Sequence, residues 1–489
     1  MAMARGLPRE IDVKYREAIL NGPIISTFLY LGLPLLLVRI VQDVYGIVDA
    51  FWLSRYSQYA MAVPRQVWPS YTLFTSFIMS FTSANLALLS QYVGAKMYDM
   101  VNDVVRRMLF VIFVGGGVSG FLFFLASQYL FRYLVGVPLE ILADVIGYAR
   151  VMAIDAVFLG INLSLATLVQ SLGDTRIAAI SQVVGAIANV FLDPIFIYGV
   201  YIVPTMGAVG AAIATVLSKV VSMGVLITAI VRRYRWIRIG VTHRLDRYYI
   251  ATTLRIAIPL LVMNISNSIA FNLQNRLVNT FGIIATTAFS VGFILFELAN
   301  TSLWGLTEGI AIMVGQNLGA GNIERSRSIA RKTSLFIFVS VAISSVAMYL
   351  ARDYIASVFI TGQNVEKEVV DGIYLEYNRF VSATLWTLAF FGLTFSAMSI
   401  GRGSGHTLMP TIINMVRLWG IRIGLGYALA LGLNLNTMGI YIAFALSNII
   451  GGAMSILWIY NGSWAKSIIK KPVPKPEPTH TYGQIKSTK

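Results

Sequence analysis

The sequence predicts an all-α integral membrane protein, with twelve transmembrane helices in two six-helix lobes related by a parallel internal repeat. Composition comes first. The 489-residue chain is 57% hydrophobic and only 12% charged, and its mean hydropathy of +0.72 excludes an ordinary soluble domain. A second observation is duplication. Leu33-Pro34-Leu35-Leu36 returns as Ile258-Pro259-Leu260-Leu261, and Gln91-Tyr92-Val93-Gly94-Ala95 as Gln316-Asn317-Leu318-Gly319-Ala320. Gly173-Asp174-Thr175 then answers Gly405-His406-Thr407, and Thr205-Met206-Gly207 answers Thr437-Met438-Gly439. The offset grows by about seven residues between Ala320 and Gly405, and a long repeat in an apolar chain marks a transporter built from two related halves.

The third observation is charge asymmetry. Apolar stretches long enough to cross a bilayer run over 24–48, 66–90, 106–128, 141–170, 177–200 and 207–231, then 250–279, 284–315, 333–351, 370–400, 408–432 and 437–461. Six spans per half place both copies in the same orientation, with the pseudo-two-fold axis along the membrane normal. Roughly 25 Lys and Arg fall in the segments facing one way and about five in the opposite loops, so both termini are expected in the cytoplasm of a plasma-membrane protein. Pro34 and Pro259 are the expected kink sites. The expected organisation is an N-terminal cytoplasmic segment 1–23, an N-lobe 24–231, a basic linker 232–249, a C-lobe 250–465 and a cytoplasmic tail 466–489. The Pro-rich part of that tail, from residue 471, reads as disordered.

Several function classes drop out. The net charge of +16 belongs to membrane-flanking clusters that meet anionic lipid, so nucleic acid is not an expected partner. The chain has no cysteine, and its three histidines lack metal-ligand spacing, so no cofactor is expected. No Walker-type phosphate loop or potassium-filter motif occurs. Energy must therefore come from an ion gradient, a partner or the substrate.

Intramembrane charges are costly and therefore informative. Asp49 ends the first span in Tyr45-Gly46-Ile47-Val48-Asp49-Ala50-Phe51-Trp52, and its repeat partner is Gln274. Asn189 and Asp193 lie in the fifth span, before Pro194, and their partners are Ile421 and Leu425. The scaffold is duplicated but these acids are not, which favours a site in one lobe. Asn189 and Asp193 are four residues apart and share one helix face, as do Tyr45 and Asp49. If those faces converge, the lobe holds two carboxylates that cannot both ionise at low cost, a device for binding a proton or a small cation. The structural alternative is that Asp193 braces the bend before Pro194.

With these motifs in order, the chain resembles the multidrug and toxic compound extrusion (MATE) family over roughly residues 17–465. The resemblance rests on the duplicated layout, Val48-Asp49-Ala50-Phe51-Trp52, the paired Gln-x-x-Gly-Ala loops, Gly173-Asp174-Thr175 and Asn189-x-x-x-Asp193-Pro194. The last is similar to the DNA-damage-inducible (DinF-like) branch. The resemblance implies a V-shaped pair of lobes exporting organic, often cationic compounds against inward H+ or Na+. Its N-lobe cation site would match Asp49, Asn189 and Asp193, and less closely Tyr45, Tyr148 (placed by its span) and Thr215 (placed by Gly210-Ala211-Ala212-Ile213-Ala214-Thr215). The acid that other branches carry in the seventh span is absent, since residues 260–275 hold no Asp or Glu. Carboxylates in a dry lobe favour H+ as the coupling ion, although the same oxygens suit Na+.

Other charges have structural readings. Glu297 and Glu308 lie about 20° apart on one helix, and Glu297 is a candidate wall of the substrate cavity. Asp155 is expected to pair with Arg150 or a neighbouring helix, and Arg39 with Asp43. Two rival functions remain open: a lipid or lipid-linked oligosaccharide flippase using Arg150, Arg276, Arg379 and Arg422, and an integral-membrane lipid enzyme, for which no acid cluster, metal site or nucleophile is evident. The expected partners are small organic substrates and membrane lipids, with the protein a monomer.

Overall fold

A computed structural model of the protein describes residues 10–57, 59–360 and 367–469. Among these residues the structure is helical apart from one isolated β-bridge, Val200 to Val203. A short helix α1 (Glu10–Asn21) precedes α2 (Ile24–Tyr56), α3 (Ala62–Gly94), α4 (Tyr98–Tyr129), α5 (Leu139–Ser171), α6 (Thr175–Tyr198) and α7 (Gly207–Arg233). The second half contains α8 (Arg247–Asn279), α9 (Gly282–Ala320), α10 (Ile323–Leu350), the short α11 (Arg352–Phe359), α12 (Lys367–Thr384), α13 (Leu388–Ser404), α14 (Leu408–Met415) and α15 (Asn436–Asn461).

Eleven stretches are long and apolar enough to cross a membrane, α12 and α13 together forming one of them. The twelfth expected span is α14 followed by π-helical turns over Val416–Leu425 and Ala428–Gly432, which interrupts its α-helical count. Helices α2 and α8 run unbroken through Pro34 and Pro259. The ninth expected span begins earlier than hydropathy suggests, because Ile323–Leu350 opens with a polar, charged turn. Helix α11 ends at Phe359, the repeat equivalent of Leu134 that ends the first half's third span, so the residues added in the second half fall after α11. Helix α9, at 39 residues, is roughly 58 Å long, well beyond a hydrocarbon core of about 30 Å. Residues 1–9 and the Pro-rich tail lie outside the described residues.

The first-half helices associate through α4–α5, α6–α7, α3–α5 and α2–α6, and the second-half helices through α9–α13, α13–α15 and α10–α13. Across the halves, α2 meets α9, and α3 meets α8 and α9. These crossings are close because small residues line them. Gly32 lies against the Leu306 backbone, and Gly305 against Leu36. At the Gln-x-x-Gly-Ala corners the contact is reciprocal: a methyl built on Gly94 would lie 1.9 Å from the Gln316 carbonyl oxygen, and one on Gly319 would lie 1.9 Å from that of Gln91.

The corner glutamines repeat the symmetry in hydrogen bonds. Gln91 donates to the carbonyls of Gly403 (3.3 Å) and Ser404 (3.2 Å), and Gln316 donates to that of Ser171 (2.7 Å). Helix α1 straps the same end: Arg16 donates to the Gly94 carbonyl, while Asn317 and Arg325 donate to that of Ile19. The chain after α15 returns there too, Ser467 and the Ile468 amide both donating to Gln91. The halves are thus fastened at the corner end, and further along Asn264 of α8 reaches Ser80 of α3 at 3.4 Å. Overpacking at such a contact costs about 1–3 kcal/mol, so Gly319→Ala should loosen the corner. The check is labelling of Ser90→Cys, a fully buried position beside Gly315, by a water-soluble maleimide. The rate should rise about tenfold when Gly319→Ala is added; an unchanged rate would contradict the contact.

Candidate functional site

The candidate site forms where the C-terminal part of α2 meets α5, α6 and α7. Asn189 and Asp193 stand one turn apart on α6, and Asn189 Nδ2 donates to Asp193 Oδ1 at 3.2 Å. Helix α6 starts correctly for this because Gly173 takes a positive φ of 91° and Asp174 caps it, accepting from the Ile177 amide. Both Asn189 and Asp193 are sealed from solvent. Asp49 enters from α2, and its carboxyl lies within hydrogen-bonding reach of that of Asp193, where two ionised carboxylates would repel. Tyr45, one turn earlier, lies within reach of Thr215 of α7, which donates to the Ala211 carbonyl at 3.0 Å. Tyr148 of α5 is buried within electrostatic reach of Asp49, Tyr45, Asp155 and Asp193. All six sequence-derived residues therefore come together.

Acceptors outnumber donors here. Asp49 Oδ1, Asn189 Oδ1 and Asp193 Oδ2 are buried without a hydrogen-bond partner. Trp52 and Tyr198 wall the outer side, where the Tyr198 hydroxyl donates to the Trp52 carbonyl at 2.7 Å. Among the described residues no group of three or more acidic or His side chains is arranged to hold a metal ion. The chemistry of this donor set is that of a proton or a monovalent cation bound by two carboxyls and an amide oxygen.

A second buried cluster adjoins the first. Asp155 accepts from Tyr71 of α3 and from Lys219 of α7, with which it forms an ion pair. Of the two expected partners, Arg150 or a neighbouring helix, the structure has the second, and the Arg150 guanidinium stacks on Phe124. The expected Arg39–Asp43 ion pair does not form among the described residues; Arg39 contacts Gln42 and feels the charges of both Glu308 and Asp43. Glu308 is held by Arg402 of α13 at 2.7 Å. Glu297 is solvent-accessible and close enough to Asp43 of α2 for their charges to interact. Of the arginines considered for a cationic cavity, Arg379 pairs with Glu376 and Arg422 is buried in the second half, so the four do not form one surface.

Sequence reasoning missed Tyr71 and Lys219. Lys219 was legible, since an intramembrane lysine four residues after Thr215 shares its face; Tyr71 is 84 residues from Asp155, and no local spacing joins them.

A protein of two duplicated six-span halves with unpaired acids buried in one half only is a membrane transporter rather than an enzyme. The MatE family model matches residues 34–195 and again 259–428, so the two matches begin at the equivalent prolines and the chain belongs to the MATE family. It is 24% identical over 432 residues to the probable multidrug resistance protein YoeA of Bacillus subtilis, covering 87% of this chain and 90% of that protein. It is 23% identical to the probable multidrug resistance protein NorM of Thermotoga maritima, covering 95% and 96%. A crystal structure of MATE in the bent conformation superposes with a TM-score of 0.81 at 21% identity, over 91% of this chain and 96% of that one.

The Asp155–Lys219 pair makes a direct prediction. Removing one partner of a buried ion pair costs about 3–5 kcal/mol, whereas removing both is far milder. Lys219→Met should markedly lower the melting temperature, and adding Asp155→Asn should restore most of it. Equal melting temperatures for the wild type and Lys219→Met would show that the pair is not buried as described.

Proposed function

We propose that the chain is a secondary antiporter that exports organic, often cationic or amphipathic compounds by alternating access of its two lobes, driven by inward H+. The observation that carries this reading is the carboxyl pair Asp49 and Asp193, whose unpartnered oxygens sit in one lobe of a duplicated scaffold and whose repeat partners are Gln274 and Leu425. Asn189 orients Asp193, while Tyr45, Tyr148 and Thr215 complete the wall. The names of the relatives, multidrug resistance proteins, support the substrate class. Sodium is the alternative coupling ion, because the same three oxygens suit it. The flippase reading loses support from the dispersal of its arginines.

The excess of Lys and Arg on one side supports placing the corner end in the cytoplasm of a plasma-membrane protein, which would make the fastened end the inner one. Protonation would favour one lobe arrangement and bound substrate the other, each promoting release of its counterpart. A proton crossing about 100 mV supplies about 2.3 kcal/mol, and a pH unit adds about 1.4 kcal/mol. Accessible Glu297 would draw cations into the cleft.

The test uses proteoliposomes loaded with a fluorescent lipophilic cation, with pH and sodium gradients imposed separately. Wild-type transport should follow the pH gradient, and Asp49→Asn and Asp193→Asn should each abolish it. Dependence on sodium alone would reassign the ion, and full gradient-driven transport by Asp193→Asn would overturn the site.

A further inference from the structure

The second half buries two arginines that have no acidic partner. Arg417 and Arg422 are each 5% exposed, and neither forms an ion pair among the described residues. Their partners are neutral. Arg417 donates to Asn414 (2.9 Å) and Asn448 (3.4 Å), and Arg422 to Ser447 (3.0 Å) and the same Asn448 oxygen (2.7 Å). Each guanidinium carries five N–H donors, and Arg417 Nε is buried with no acceptor. The charge acting on Arg422 is that of Arg417. Stacking of Arg422 over Phe444 at 3.7 Å and Arg417 over Phe391 at 5.1 Å offsets part of the cost, but a buried cation requires a charged partner far more than a ring face.

The backbone has been altered to bring these two charges together. Five positions apart on an α-helix, side chains stand about 140° apart. Over Val416–Leu425 the chain is π-helical, and i→i+5 bonding stacks such residues on one face. Long π-helical runs are rare and concentrate at functional sites. Room for Arg417 comes from Gly451, where an added methyl would meet the Arg417 side chain at 2.5 Å.

This cluster is the repeat mate of the N-lobe site with the charge reversed. At the offset of the second repeat segment, Ser447 corresponds to Thr215, Thr387 to Asp155 and Gly451 to Lys219, and Thr387 accepts from Asn448 at 2.9 Å. Neighbouring α8 contributes Asn267, which accepts from Asn414, and Gln274, buried with both polar side-chain atoms unpartnered.

We propose that the C-lobe binds a small monovalent anion of chloride size between Arg417 and Arg422. The anion neutralises charge that the protein leaves unpaired, and its donors are the guanidinium N–H groups with no protein acceptor.

The test is the melting temperature of the purified full-length protein in sodium chloride, bromide, acetate or gluconate at equal ionic strength and pH. Chloride and bromide should raise it by several degrees, saturably, relative to gluconate. The double variant Arg417→Met with Arg422→Met removes both charges with similar volume, so it should stay folded in gluconate and lose the halide response. Bromide-soaked crystals should show an anomalous peak between the two guanidinium groups. A halide response retained in the double variant, no response in the wild type, stabilisation by acetate without bromide, or no peak at saturating bromide would each overturn the assignment. If the double variant does not fold, the bromide peak in the wild type alone decides.

Discussion

A charge sealed inside protein and membrane must be compensated, and this cost organises the molecule. Each buried ionisable group has one of three arrangements. Asp155 and Glu308 have cationic partners in Lys219 and Arg402. Asp49 and Asp193 lie close together with buried oxygens that have no partner. Arg417 and Arg422 have neutral oxygens and aromatic faces only. The paired groups hold helices together, and the incompletely compensated ones are where ions would act. That division separates scaffold from site without reference to any relative.

In the proposed antiport, the duplicated scaffold would turn local ion binding into movement. The halves share a fastened end, where Gly94 and Gly319 let backbones approach and Gln91 and Gln316 cross-link the corners in pseudo-symmetric fashion. Rigid helices radiating from such a contact would convert a small change in packing near Asp49 into a change of angle between lobes, as packed interfaces are bistable rather than continuously deformable. Helix α2 carries both ends of this connection. Its first turns lie against α9 through Gly32, and its later turns carry Tyr45 and Asp49 to α6 and α7.

Much of this was legible in the sequence. Hydropathy and the repeat locate the spans, with ends that miss the observed helices by as much as the turns between expected residue 333 and observed Ile323, and the failure of the polar residues to repeat singles out Asp49, Asn189 and Asp193. The limits have physical reasons. Spacing names groups on one helix face but not what faces them, so the sequence leaves Asp155 between Arg150 and a neighbouring helix, and only packing names Lys219. The Arg39–Asp43 assignment failed because an i+4 neighbour on an accessible face is weaker than the charges across the cleft. The C-lobe arginines were invisible as a pair because their spacing of five is meaningful only on a π-helix, and nothing in Val416–Leu425 announces one. Seen individually, Arg422 looked like a cavity residue; only packing shows that it is sealed beside Arg417.

The central claim is that occupancy of the Asp49–Asp193 pair sets the angle between lobes. The cysteine-free chain allows spin labels to be placed without background at Tyr201→Cys and Ile283→Cys, exposed positions on the first and second halves. The measurement is the distance distribution between them in lipid nanodiscs as pH is stepped from acid to alkaline. The account predicts two populations that exchange with pH in the otherwise wild-type protein, and a single pH-independent population when Asp49→Asn and Asp193→Asn are combined. The same pH-driven exchange in that combined variant would contradict it.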